Sequence, residues 1–193
     1  MAAKSNLTNM ALCLFGTCLV CSALLAGVYA MTAGPIAKTK EATLKASISQ
    51  VLPEGGEISE KKSLTVGGLE SEYYECIKDG EIVAYAVKST TIGFGGPLVL
   101  MVGIIPGGTI CNTSVLSHAE TPGLGAKCTE DSFMGQFAGF NVLTGKLSVT
   151  KDGGDIDAIT ASTITSRAYT LAVKNAVDAI AGLPMPISSL QAE

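Results

Sequence analysis

The densest set of chemically useful side chains in this sequence is Asp157-Ala158-Ile159-Thr160-Ala161-Ser162-Thr163-Ile164-Thr165-Ser166, with five hydroxyls in seven residues. It opens a helical pattern, and the first N–H groups of a helix lack intrahelical partners and carry partial positive charge. An anion rich in oxygen acceptors, such as a phosphate, is stabilised there. Small residues at Ala161 and Ser162 let such a ligand approach the backbone. The same run also fits an ordinary Ser/Thr-rich helix cap, and alone it does not choose between the two.

A second dense segment is Ser117 to Cys128, SHAETPGLGAKC. Pro122, Gly123 and Gly125 bring backbone polar groups close to a ligand, and Glu120 and Thr121 add fixed polar edges. A tight turn between strands is the plainer reading of the same residues. His118 is the sole histidine, two residues before Glu120. One His-x-Glu pair supplies too few ligands for zinc or non-haem iron, so no metal site is assigned. No GxSxG elbow accompanies His118, and a hydrolase built on it is the weaker alternative; no catalytic residue is assigned. Neither GxxxxGK[ST] nor GxGxxG opens a helix, which disfavours nucleotide triphosphate chemistry.

The elements that must position these residues follow from hydrophobic pattern and turn chemistry. Residues 10–31, MALCLFGTCLVCSALLAGVYAM, form an uncharged run of 22 residues, enough to cross a bilayer core as a helix. Lys4 and the small-x-small sequence Val28-Tyr29-Ala30 would suit a cleaved signal peptide, but the apolar run exceeds the usual signal core of about 7–15 residues, favouring a retained anchor. Lysines flank the run on both sides, so charge does not fix its orientation. The division is therefore 1–9 as an N-terminal segment, 10–31 as a transmembrane anchor in contact with lipid, and 32–193 as one domain.

Gly34-Pro35 predicts a helix break, with a second helix over 36–51 ended by Pro53 and Gly55-Gly56. Strands are predicted over 69–77 and 82–88 around an Asp79-Gly80 turn, then over 97–105 and 109–116 around Pro106-Gly107-Gly108. PLVLMVGII at 97–105 shows no polar alternation and should be buried on both faces. One further strand is predicted over 143–149, a turn at 151–154, and an amphipathic helix over 163–181 stopped by Gly182 and Pro184. The fold class is α+β: an N-terminal transmembrane helix, then one domain with a central, mainly antiparallel sheet and flanking helices.

All 17 acidic residues and all but one of the 13 basic ones lie beyond the apolar run, so the domain is net negative. With no Trp and only five Tyr and five Phe, it has neither the charge nor the stacking surface for nucleic acid. Cys13, Cys18 and Cys21 lie in the run and Cys76, Cys111 and Cys128 in the domain; an odd three argues against a disulfide framework.

Three segments together, Gly93-Phe94-Gly95-Gly96-Pro97-Leu98, His118 to Gly125 and Asp157 to Ser166, resemble the bacterial FMN-binding domain of membrane redox complexes. With one N-terminal span and this length, the chain is most similar to the G-subunit family of Rnf ion-translocating electron-transport complexes. The C subunits of sodium-translocating NADH:quinone reductases are the near alternative. The resemblance implies covalent FMN bonded through phosphate to the last threonine of a Ser/Thr-Gly-Ala-Thr motif, which is Thr163 here. It implies hydrogen-bonding roles for Thr160, Ser162 and Thr165, and contact of Glu120, Thr121, Gly123 and Leu124 with the isoalloxazine or ribityl chain. This chain departs from the motif, with Ala161 replacing the glycine and Ser162 the alanine. A flavin-less structural subunit is the alternative that this departure raises. The resemblance further implies electron relay within a ferredoxin:NAD oxidoreductase complex, without turnover by this chain alone. The implied partners are the other subunits and a flavin-attaching maturation enzyme, with the domain on the outer face of the bacterial cytoplasmic membrane.

Overall fold

The computed structural model of the protein describes residues 7–66, 69–181 and 183; Lys4, Gly182 and Pro184 lie outside them. The described chain divides into two compact units, one ending at Thr43 and one beginning at Leu44. The first unit is most of helix α1, Leu7–Val51. A 45-residue helix is about 68 Å long at 1.5 Å per residue. Pro35 lies inside it, so the break predicted at Gly34-Pro35 does not occur. Proline removes one hydrogen bond and crowds the preceding turn, but long helical stretches on both sides hold the axis through that local loss. Leu12, Leu14, Phe15, Leu19, Leu24, Leu25 and Val28 are all exposed on α1, a surface that a lipid core would cover. By length and composition α1 is a candidate membrane span.

The second unit is built on an antiparallel sheet of β1 (Glu57–Ile58), β2 (Lys62–Val66), β3 (Leu69–Lys78), β4 (Glu81–Ile92), β5 (Pro97–Ile105) and β6 (Thr109–His118). The order is β1-β3-β4-β5-β6, with β2 also paired to β3. Asp79 (φ 55°) and Gly80 (φ 83°) make the β3–β4 turn, both left-handed as the predicted hairpin requires. β5 is buried on both faces, as its unbroken apolar run predicts. Leu98, Leu100, Val102 and Ile104 face one side with Tyr85 and Ile110, whereas Met101 faces the other with Ala84 and Ala86.

The first face is covered by α3 (Thr163–Ile180) and by the aromatic cluster of Phe133, on the one-turn helix α2 (Asp131–Met134), with Phe137 and Tyr169. The Phe133 ring meets Tyr169 edge-on at 5.1 Å between centroids. The Tyr169 hydroxyl donates to Thr113 Oγ1 at 2.7 Å and Thr91 Oγ1 to the Ala168 carbonyl at 3.0 Å, which fixes α3 in register on the sheet. Burial of the Tyr169 ring pushes its phenol above the ordinary range. The opposite face is covered by the last turns of α1, residues 44–51. Gly103 permits that approach, because a Cβ there would fall on the Val51 carbonyl.

Residues 143–149 are not a strand. Instead, the Ser148 carbonyl accepts from Ile156 N–H at 3.0 Å and Lys146 N–H bonds the Asp155 carboxylate at 2.6 Å. The segment thus pairs with the chain that returns through Gly153-Gly154 and offers the sheet no edge.

Candidate functional site

Two connections converge at one end of the sheet. The β4–β5 turn, residues 93–96, lies against the segment leaving β6, and between them sits the buried side chain of Glu120, 6% exposed. Its Oε1 accepts from the Phe94 N–H at 2.8 Å and the Gly95 N–H at 3.4 Å. Oε2 accepts from the Thr165 hydroxyl of α3 at 2.8 Å. The Glu120 N–H in turn donates to His118 Nδ1 at 3.2 Å. One carboxylate therefore ties a hairpin turn, a loop and a helix together, and His118 serves as a local acceptor.

The glycines around it are dictated by space. A Cβ on Gly93 would fall on Glu120 Oε1, on Gly95 the Ala119 carbonyl, and on Gly125 Glu120 Oε2 and Thr165 Oγ1. Beyond Glu120, the Thr121 carbonyl accepts from Leu124 N–H and Ala126 N–H, both at 3.2 Å, closing the loop onto the 3₁₀ turn Gly125–Thr129.

The hydroxyl-rich run folds differently. Thr160 and Ala161 form a turn, Ser162 is the N-cap residue, and Thr163 begins α3. Ala161 is left-handed at φ 61°, a conformation that glycine adopts freely and that costs alanine about 1 kcal/mol. The Ser162 side chain makes no capping hydrogen bond. The turn is fastened instead through Ser166, whose Oγ donates to the Ser162 carbonyl at 3.0 Å and accepts from the Ile159 N–H at 2.9 Å. The first amides of α3 consequently stay available to an anion.

A cavity of about 360 Å³ joins the two regions, lined mostly by apolar surface. Its walls include Glu120, Thr121, Leu124, Ala161, Ser162, Thr163 and Thr165, together with Phe94, Gly125 and Ile164. Seven of the nine residues singled out by sequence thus share one cavity. Gly123 is an exposed turn residue at φ 76° outside the lining, and Thr160 is exposed beside a neighbouring hollow with Asp157 and Gln136. A larger, shallower groove of about 700 Å³ runs beside α3 past Lys146, Leu171 and Lys174, and contains none of those nine. The smaller cavity is the candidate site, because it combines an apolar enclosure with hydroxyls and a helix N-terminus.

Sequence reasoning missed Lys151. It belongs to the 3₁₀ turn Thr150–Asp152, and its Nζ donates to Thr163 Oγ1 at 2.9 Å. The residue beside it, Asp152, accepts from Arg167 Nε at 2.7 Å and Nη2 at 2.6 Å. Those hydrogen bonds hold the Asp152 carboxyl below the usual carboxylate range and raise the Arg167 guanidinium further. No sequence signal pointed to it, because the pairing of Asp152 with Arg167, fifteen residues apart, is made only by the fold.

This set of residues fits FMN. Its phosphate matches uncapped amides, a lysine and a hydroxyl, and its flat ring matches an apolar cavity open at Phe94, Leu124 and Ile164, which are 69%, 46% and 52% exposed.

Comparison with known proteins agrees. The FMN-binding domain family matches residues 93–178, and the family of RnfG N-terminal regions matches residues 1–51. The chain is 35% identical over 167 residues to the G subunit of the proton-translocating ferredoxin:NAD(+) oxidoreductase complex of Clostridium ljungdahlii, covering 85% of this chain and 86% of that one. It is 32% identical over 183 residues to the G subunit of the ion-translocating oxidoreductase complex of Methanosarcina acetivorans, covering 92% and 96%. Among solved structures, NqrC of Shewanella oneidensis is similar at 21% identity and a TM-score of 0.47, over 57% of this chain and 58% of that one. Matched along nearly its whole length, from the apolar helix to the Thr163 helix, the chain belongs to the G-subunit family of ion-translocating oxidoreductase complexes.

Proposed function

We propose that this chain is the membrane-anchored flavoprotein subunit of an Rnf-type ferredoxin:NAD oxidoreductase complex, carrying FMN as a phosphoester on Thr163. It relays electrons between neighbouring subunits and turns over no diffusible substrate alone. Residues 10–31 anchor it in the bacterial cytoplasmic membrane, with the domain on the outer face. The observation that carries this reading is the placement of Thr163: its hydroxyl stands at the uncapped start of α3, on the wall of an apolar cavity, 2.9 Å from Lys151 Nζ.

Bound FMN supplies one- and two-electron redox chemistry that no side chain of the protein provides. The protein's own residues do the holding. Thr163 fixes the phosphate covalently, so repeated electron transfer cannot lose the cofactor, and the amides of the first turn stabilise its charge. Phe94, Leu124 and Ile164 would flank the ring and keep water from it. Glu120 braces the walls, its oxygens accepting from Phe94, Gly95 and Thr165, and as a lining residue of the cavity it would also meet the ligand.

Co-expression of the full chain with a flavin-attaching maturation enzyme tests the assignment. Intact-mass spectrometry should show one FMN-phosphoryl addition on wild type and none on Thr163→Val, with flavin fluorescence surviving denaturation in a gel. Wild type free of flavin under these conditions would instead support a purely structural subunit.

A further inference from the structure

We infer that Lys151 is the positioning residue for phosphoester formation on Thr163, orienting the acceptor hydroxyl and neutralising the phosphate brought to it. The inference rests on the covalent-FMN reading above and assigns a role to a residue outside the hydroxyl-rich run. Lys151 and Thr163 are twelve residues apart and belong to different elements, so their contact is made by the fold. Asp152 and Arg167 make it. Arg167 lies one helical turn beyond Thr163 on α3, and its paired hydrogen bonds to Asp152 hold the 3₁₀ turn against the helix. Val149 and Ile156, each 1% exposed, bridge at the base of the same turn. Lys151, between Val149 and Asp152, is thereby delivered to the first turn of α3.

The charge arithmetic at this place points to an anion. Asp152, the nearest carboxylate in sequence, is occupied by Arg167, and among the described residues Lys151 forms no ion pair. The side-chain hydrogen bond it makes is to a neutral hydroxyl. The N-terminus of α3 adds partial positive charge to the same point, and no acidic residue lies in its first turn. Two sources of positive potential therefore converge on the oxygen that must approach a phosphorus.

The hydrogen bond also leaves Thr163 the right valences. A hydroxyl oxygen has two lone pairs and one proton. Lys151 occupies one lone pair, and the other remains to form the new bond. With a flavin dinucleotide as donor, Thr163 Oγ bonds the flavin-side phosphorus and the pyrophosphate P–O bond breaks. Adenosine monophosphate leaves, and the hydroxyl proton passes to a base of the maturation enzyme. The resulting phosphodiester keeps one negative charge, and it forms on the oxygen that Lys151 already contacts.

The test uses the unmodified full chain in detergent, with purified maturation enzyme and flavin adenine dinucleotide. Initial rates of flavin incorporation are read by intact mass and gel fluorescence, alongside melting temperature. Lys151→Met should slow incorporation at saturating acceptor by about tenfold or more, the scale expected from loss of one positioning and charge-stabilising donor. Its melting temperature should stay at the wild-type value, and Lys151→Arg should recover most of the rate. Arg167→Met, which frees the turn while keeping Lys151, should slow it by a smaller factor, about threefold. Equal rates for wild type and Lys151→Met would overturn the role of Lys151 while leaving covalent FMN intact. A slow Lys151→Met variant that melts early and is not rescued by arginine would overturn it as well. Unlabelled wild type would overturn the covalent reading itself, and this inference with it.

Discussion

The two regions that form the cavity wall are held in opposite ways. Around Glu120, the buried side-chain polar groups have partners: two backbone amides and the Thr165 hydroxyl meet the carboxylate, and glycines supply the space it needs. Around Thr163, the helix is uncapped, Ala161 is left-handed, and an exposed lysine reaches a hydroxyl. The first region is satisfied and rigid, the second keeps unmet hydrogen-bonding capacity and some strain. Unmet capacity is what a ligand can use, so the comparison puts shape on the Glu120 side and chemistry on the Thr163 side.

The sharpest way to break that comparison is to remove the carboxylate. Glu120→Ala leaves the Phe94 N–H and the Thr165 hydroxyl without their partner and should lower unfolding free energy by about 3 kcal/mol, read by urea denaturation. A loss under about 0.5 kcal/mol would mean that the loop is not held as described. On the other side the sign reverses. Ala161→Gly should stabilise the unmodified protein by up to about 1 kcal/mol, because glycine adopts φ 61° without penalty, offset in part by its greater freedom when unfolded. A destabilised Ala161→Gly variant would remove the claim of strain at the cofactor side.

The smallest effect is electrostatic. Arg167 depresses the Asp152 carboxyl below its ordinary 3.8. A depressed acid stabilises the fold above its unfolded value and loses that contribution as pH falls through the folded one. The melting-temperature gap between wild type and Asp152→Asn should therefore be flat from about pH 5 to 8 and close only below about pH 4. Both groups are exposed, so the gap should be small and shrink in high salt.

Much of this was legible in the sequence, for local reasons. Asp79-Gly80 specifies a left-handed turn by composition alone, and the 97–105 run has no polar residue to place on a wet face. The hydroxyls at 160–166 and the Pro-Gly loop at 120–125 could be read as one site only because a family resemblance joined them; their spacing says nothing of the Glu120–Thr165 hydrogen bond, which spans 45 residues. Strand 143–149 failed because alternation cannot tell whether a neighbouring edge is free, and here the chain folds back on itself at Gly153-Gly154. Pro35 failed as a helix stop because a helix interrupted once within a long run keeps nearly all its bonds. Lys151 was invisible for a different reason, since in sequence it is one polar residue of a turn and acquires a role only when Arg167 captures its neighbour.

Glu120 also changes what kind of loop the β4–β5 turn is. A glycine-rich turn with an exposed phenylalanine would ordinarily exchange its amide hydrogens with solvent through small local openings. The amides of Phe94 and Gly95 instead end on a carboxylate whose other oxygen is bonded to the core-facing side of α3. Freeing them means breaking hydrogen bonds to a buried carboxylate anchored on α3, so their protection should exceed that of an ordinary exposed turn. In cooperativity terms, this wall of the cavity is tied to the core.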